Sequence, residues 1–375
     1  MNLNTPNIQL SLDDFRSQDI FVLLRSTYKN NLLKKAIFKA GSQSKLATII
    51  KENIDYSRLK QSVISSFVHK KNLRLDLIYF LCKFTDIKFD EKQTLGIKGV
   101  QTSRMIYNPE INISLTIELA QILANLYCDG SIEKNNCYVS TYINGCEELI
   151  DGFKNNFKLC FGDLDYYERY THVKNVRIPC FIGKLLYYKF RLYEDRISSQ
   201  IIHSSRDVKA AYLQAAFDDE GTIHKTHGQI RIKMKPKSYI KDVQKLIQGF
   251  DIETSKVIEE YDKRNGRKYY YFLISGMYNS KKFHDEIGFF HPKKKKRLIK
   301  HLRNIKTENY GYKAKNIVFD ILKKHKSSTT KQIAKLLKRD KRVIHQHLTN
   351  LKKKNLVSFT KLKRKFVYEY LWKVI

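Results

Sequence analysis

Apolar residues recur at helical spacing through the first 95 residues. Leu46, Ala47, Ile49 and Ile50 form one apolar face within SQSKLATIIKEN, and a break follows over residues 53–55. Leu59, Val63 and Ile64 continue on a second face, and KKNLRLDLIYFLCKF reads as a supporting core helix. Residues 1–95 therefore read as a helical segment containing a candidate helix-turn-helix, with Tyr56, Arg58, Lys60 and Gln61 on its groove-facing helix. From about residue 100 the pattern changes. The stretches ILANLYCDGSI (residues 122–132) and LQAAFDDEGTI (residues 213–223) are apolar, rich in small residues, and end in an acid, a glycine, a hydroxyl residue and isoleucine.

Each stretch is followed by the same order of elements. After the first come alternating CYVSTYI, the helical CEELIDGFKNNF, strand patterns in DYYERY and HVKNVRI, and the helical CFIGKLLYYKF. After the second come QIRIKMK, SYIKDVQKLIQGF, SKVIEEY, RKYYYFLI and SKKFHDEIGFF. The order αββαββα is thus written twice over residues 100–305. The strands alternate apolar residues with Lys, Arg, Tyr and Gln, so one sheet face packs on helices while the other offers donors and aromatics to solvent. The expected class is α+β: a duplicated αββαββα saddle with two central motif helices, flanked by the N-terminal helical domain and a C-terminal winged helix. The winged helix is read over 311–375 from KNIVFDILKKH, TTKQIAKLLK capped by Thr329 or Thr330, and a third helix striped by Val343, Ile344, Leu348 and Leu351. SFTKLKRKFVYEYLWKV follows as a two-stranded wing. Arg342, His345, Gln346, Thr349 and Lys352 are left for a major groove, and Lys361, Lys363, Arg364 and Lys365 for phosphates.

Charge narrows the choice of partner. Lys and Arg number 71 against 37 Asp and Glu, a formal net charge of +34, accompanied by 24 Tyr and 21 Phe. Such a charge speaks of partners rather than fold, and nucleic acid is the polyanion that rewards it by releasing counterions. The competing explanation is a solvated surface, or an AT-rich coding sequence that favours Lys, Asn and Ile. Six cysteines include no CxxC pair, which argues against a zinc ribbon or finger; reduced, buried thiols are expected. No run of eighteen apolar residues occurs, so no membrane span is expected. Asp13, Asp14 and Asp19 in an N-terminus without an apolar core argue against a secretory signal and an organellar presequence. A cytoplasmic, nucleoid-associated protein is the expectation.

The two acid-Gly stretches resemble the motif of the LAGLIDADG homing endonucleases, in the single-chain, two-repeat form. In the second, Leu213 matches the opening Leu, Ala215 the first small position, Phe217 an apolar position, Asp218 the internal acid, Glu220 the terminal acid and Gly221 the closing Gly. In the first, Ala124 and Cys128 take the small positions and Asp129 the terminal acid. RIPCFIGKLL and IGFFHPKKKKRL are similar to segments of two-repeat members. Three positions depart from the pattern: Tyr127 replaces an internal acid, Cys128 is larger than Gly, and Asp219 sets a third acid at a position that is usually small.

The resemblance implies metal-dependent hydrolysis of DNA. Small residues four apart let two helices pack backbone to backbone, so that their C-terminal ends each deliver one carboxylate. Carboxylates held together near negative helix ends repel, and a hard cation such as Mg²⁺, or another divalent ion, relieves them. Asp129 and Glu220 are the expected metal ligands. The family adds a basic residue near each centre. The candidates are Lys294, within the run Lys293, Lys294, Lys295 and Lys296, and Lys184 for the first repeat. Arg231, Lys233 and Lys235 alternate along one strand as DNA readers, joined by Lys293 and Lys295.

The leading expectation is a free-standing, monomeric, site-specific endonuclease that makes a staggered break in double-stranded DNA. Met1 is no splicing nucleophile and the closing Trp372, Lys373, Val374 and Ile375 include no His-Asn, so a self-splicing segment is not expected. The alternatives are a DNA-binding transcriptional regulator that does not cleave, and a maturase whose partner is an intron RNA.

Overall fold

The computed structural model describes residues 9–10, 14, 20–54, 72–99, 104–110, 113–164, 166, 174–224, 228–263, 266–304, 314–337, 341–364 and 367–375. The groove-facing helix read around Tyr56, Arg58, Lys60 and Gln61, with Leu59, Val63 and Ile64, lies outside these residues, as does Lys365. The chain is α+β, its described sheets antiparallel, and it divides into two compact units, Met1–Glu220 and Gly221–Ile375.

In the first unit, helices Ser26–Ala40, Gln43–Asn53 and Leu75–Phe84 follow the apolar spacing of the sequence. Ser42 caps the second by accepting from the Lys45 N–H, and Leu46, Ala47 and Ile50 are buried beneath it. The segment also contains strands that the periodicity does not announce. A five-stranded sheet runs Asn72–Arg74, Ile20–Leu24, Thr94–Gly99, Ile106–Tyr107, Asp163–Leu164. Ile20–Leu24 alternates buried and half-buried along its length. Five consecutive apolar residues carry no period that separates such a strand from a buried helical turn. Thr94–Gly99 spans the interval where the sequence suggests a break, and Asp163–Leu164 ties the first repeat into the same sheet.

The first repeat opens with helix Ile117–Tyr127, capped by the Thr116 side chain on the Leu119 N–H. Strands Gly130–Glu133, Val139–Asn144 and Lys174–Ile178 form a three-stranded sheet with Val139–Asn144 central. Helices Glu147–Phe161 and Cys180–Lys189 complete it. DYYERY lies almost entirely outside the described residues. Helix Arg206–Glu220 then packs along Ile117–Tyr127 as the principal helix pairing of the unit.

The second unit continues the repeat with strands in the order Gly221–Ile223, Ile230–Met234, Arg267–Ile274, Ile258–Asp262. Ile230, Ile232, Met234, Phe272 and Ile274 face inward. Helix Lys237–Gln248 covers them with Tyr239, Ile240, Val243, Leu246 and Ile247. Each such side chain withdrawn from water contributes about 1.5–3 kcal/mol. Helices Met277–Glu286 and Pro292–Asn304 follow.

The last segment has helices Ala314–His325, Thr330–Leu336 and Lys341–Lys352 and a sheet. Thr329 caps the middle helix in a full capping box with Gln332. The expected two-stranded wing, Val357–Arg364 with Val367–Val374, gains a third strand, Ser327–Thr329, on Val367–Val374. Val318, Leu322, Ile333, Ile344, Leu348, Leu351, Val357 and Trp372 form its core. The Trp372 Nε1–H donates to Thr330 Oγ1 at 3.0 Å, which satisfies a buried indole.

Candidate functional site

The two motif helices pack along each other, and both bury small side chains. Ala120 and Ala124 on the first, and Ala211, Ala215 and Ala216 on the second, are all buried. Polar residues punctuate the seam: Gln121 Nε2 donates to Gln214 Oε1 at 3.1 Å, and Asn156 Nδ2 donates to Gln121 Oε1 at 2.8 Å. At its C-terminal end the first helix stops at Cys128, and the chain turns back at once into strand Gly130–Glu133. A Cβ on Gly130 would stand 2.6 Å from Leu126 Cα and 2.9 Å from the Asn125 carbonyl oxygen. The closing glycine of the motif is thus a matter of space, since only hydrogen fits against the helix it has just left.

This turn sets Asp129 beside the central strand of its sheet. Asn144 Nδ2 donates to Asp129 Oδ2 at 2.9 Å and to Asp219 Oδ1 at 3.2 Å, so one amide bridges two carboxylates. The Asn144 amide is itself oriented, because its Oδ1 accepts the Cys146 N–H at 2.9 Å. Asp219 collects two further donors: the Tyr142 hydroxyl on Oδ1 at 2.8 Å and Asn125 Nδ2 on Oδ2 at 2.8 Å. Tyr142 is fully buried and stacks on Phe153 with ring centroids 4.8 Å apart.

The electrostatics are those of crowded acids. Burial, then the charge of Asp129, push the Asp219 carboxyl well above the usual range, against the pull of Asn125 and Tyr142 and with a smaller push from Asp218. Burial and Asp219 likewise raise the Tyr142 hydroxyl, which holds it protonated and donating. Asp218 is buried, and Glu220 is half-buried as the last residue of helix Arg206–Glu220.

The sequence pairs Asp129 with Glu220; the structure also links Asp129, through the Asn144 amide, to Asp219. Asn125, Tyr142 and Asn144 were not anticipated. Asn125 had a signal, since it is a polar residue on the buried side of a motif helix. Tyr142 and Asn144 reach the site only through strand register.

A hard divalent cation fits this chemistry. The acids crowd at the negative ends of two helices, where burial first and the Asp129 charge second lift the Asp219 carboxyl. Among the described residues no group of three or more His, Cys, Asp and Glu is arranged to hold a metal. An ion here would take its remaining ligands from water or phosphate, which is the habit of Mg²⁺ and not of zinc. Both Asp219 oxygens already accept from Asn125, Tyr142 and Asn144, so its part is to fix the bridge. The six cysteines are free thiols, and no described helix is long and apolar enough to cross a membrane.

The cationic candidates fall in several places. Arg231 and Lys233 lie on the outward side of Ile230–Met234, and Lys235 is exposed just beyond it. Lys293, Lys294 and Lys295 occupy the first turn of helix Pro292–Asn304, where the helix dipole is already positive and acids are absent. Lys293 and Lys295 are exposed and Lys294 is half-buried. Lys184 lies over the Tyr138 ring, 5.9 Å from its centroid.

On helix Lys341–Lys352, Gln346 is exposed and the His345 ring leans on Tyr370 at 5.4 Å. The Thr349 hydroxyl donates to the His345 carbonyl at 2.8 Å, and Lys352 lies over Phe359 at 4.2 Å. Arg342 belongs to this helix, and Lys363 and Arg364 to strand Val357–Arg364; their side chains lie outside the described part.

Residues 207–288 match the family model of the LAGLIDADG-like domain. The chain is 30% identical over 232 residues to a replication factor C small subunit of Methanocaldococcus jannaschii, covering 60% of this chain and 12% of the relative. It is 24% identical over 237 residues to a glutamine–fructose-6-phosphate aminotransferase of the same organism, covering 59% of this chain and 21% of the relative. The chain therefore spans a minor part of these relatives. Among solved structures, a crystal structure of I-DmoI in complex with DNA and Mn shares 16% identity at a TM-score of 0.34, covering 46% of this chain and 97% of that one. Full-length DUF199/WhiA from Thermatoga maritima shares 11% at 0.33, covering 63% and 90%.

Proposed function

From a chain that carries a LAGLIDADG-like domain over residues 207–288, we propose a site-specific endonuclease that cuts double-stranded DNA with the help of Mg²⁺ or another divalent cation. The observation that carries this reading is the seam itself: two packed helices, each running into an acid-Gly, with Asp129 and Asp219 joined by one amide. The names of the sequence relatives do not transfer. The matched stretch is a small share of each, and a replication factor and an aminotransferase perform unrelated tasks. A segment that recurs in hosts of unrelated chemistry is the expected footprint of an element that moves, and cutting a specific DNA site is a means of moving.

In this reading Asp129 and Glu220 hold the cation. A bound cation would supply charge stabilisation at the scissile phosphate and a lowered pKa for an attacking water. Asn144 orients Asp129, with its amide fixed by the Cys146 N–H on one side and Asp219 on the other. Tyr142, kept protonated, holds Asp219 in place. Lys294, in the first turn of a helix whose dipole adds to its charge, stabilises negative charge at the phosphate. Two repeats in one chain supply both halves of the site, so the protein acts as a monomer on an asymmetric duplex and leaves a staggered break. Arg231, Lys233 and Lys235 read the DNA, and residues 311–375 serve as a winged helix-turn-helix that adds grip.

Cleavage of a randomised duplex library with Mg²⁺ tests this, with the intact protein compared with Asp129→Asn and Glu220→Gln. Breaks that need the metal and fall at least about a hundredfold in both variants are expected. One observation favours a second reading: the Asp219 carboxylate is spent on Asn125, Tyr142 and Asn144, a structural use of an acid in the seam. Salt-sensitive duplex binding without breaks, equal in all three proteins, would replace the endonuclease by a non-cleaving DNA-binding regulator.

A further inference from the structure

The outward face of the four-stranded sheet in Gly221–Ile375 holds an acid where a polyanion-binding surface has least use for one. Register places Lys233 opposite Tyr271, and Tyr269 opposite Glu260. Glu260 reaches across the intervening strand. Its Oε1 lies 2.8 Å from Lys233 Nζ, and its Oε2 lies 3.6 Å from an Arg231 guanidinium nitrogen. Each cation also leans on an aromatic: Lys233 is 4.6 Å from the Tyr269 ring centroid, and Arg231 is 5.3 Å from that of Tyr271. One carboxylate thus ties down two cations on a tyrosine floor.

Stability gives little reason for this arrangement, because half-exposed ion pairs contribute little to folding. Function gives one. A cation paired to a carboxylate cannot meet a phosphate without giving up its partner, and the carboxylate itself repels phosphate. At a base pair edge the same groups are complementary: Glu accepts from the cytosine N4 amino group, and Arg donates to guanine O6 and N7. We propose that Glu260 is a specificity-determining residue. It keeps Arg231 and Lys233 off the phosphates of random DNA, and at the target it accepts from the cytosine of a G·C pair. The proposal rests on the duplex-DNA reading above.

Titration of a random-sequence duplex by fluorescence anisotropy over a series of KCl concentrations tests it on the full chain. Glu260→Gln, which keeps the side chain's shape, should bind random duplex about tenfold tighter at low salt. Its slope of log K against log salt should steepen by about one to two, because each freed cation adds about 0.9. Sequences selected from a library by the variant should lose one fixed G·C pair. Lys233→Gln should leave the random-duplex slope unchanged, since that lysine is already occupied. Unchanged affinity and slope in Glu260→Gln would overturn the proposal, as would a shallower slope in Lys233→Gln. Absence of salt-dependent duplex binding by the unaltered protein, read first in the same titration, would instead remove the DNA reading beneath it.

Discussion

Asp219 occupies a position where two helices cross closely, and it is tolerated there because three donors converge on it. Removing one donor shows how much that convergence contributes. Tyr142→Phe keeps the ring on Phe153 and deletes only the hydroxyl. It should cost about 1–2 kcal/mol, seen by far-ultraviolet circular dichroism as a melting midpoint lower by about 2–4 °C per kcal/mol. An unchanged midpoint would mean that the hydroxyl does not help to hold the seam. An acid followed by glycine punctuates an apolar run, and that sign pointed to Asp129, which stands in this cluster, and to Glu220, whose part is proposed. Asn144 was not legible in the sequence, since it lies on another strand and reaches Asp129 only through the register of Gly130–Glu133 on Val139–Asn144. The three extra donors also turn an apparent defect of the motif, an acid in place of a small residue, into a built feature.

At the level of elements, helix Cys180–Lys189 lies close enough to strand Val139–Asn144 that a Cβ on Gly183 would meet the Ser140 hydroxyl oxygen at 1.9 Å and the Tyr138 carbonyl oxygen at 2.7 Å. Gly183→Ala should therefore destabilise the first unit by about 1–3 kcal/mol, the usual cost of overpacking. Ser140→Ala in the same chain should restore only part of it, because the carbonyl contact persists. Full recovery in thermal melts of the double variant would locate the strain in the Ser140 side chain alone. The repeated helix–strand order was readable because alternation and helical period each extend over several residues. The five-stranded sheet was not. Ile106–Tyr107 and Asp163–Leu164 are two residues each and pair across a long separation, which no local pattern encodes.

For the whole molecule, charge is the dominant property, and it is uneven. Residues 311–375 carry 19 Lys and Arg against 3 Asp and Glu. Truncation after residue 305 should weaken duplex binding at physiological salt by about tenfold or more and flatten the salt dependence by several units of slope; an unaltered slope would show that this segment does not meet phosphates. The boundary between the two compact units, at Glu220 and Gly221, falls at the junction of a motif helix with the next strand. No change of composition marks that point, and for that reason the sequence divides the chain elsewhere. The segment past residue 311 also contains the chain's single tryptophan, Trp372, sealed in its core. Indole emission is therefore an optical reporter of this segment, blind to the motif helices. A urea titration followed by that emission, beside one followed by circular dichroism, yields two curves, and the gap between them measures how independently the last segment unfolds.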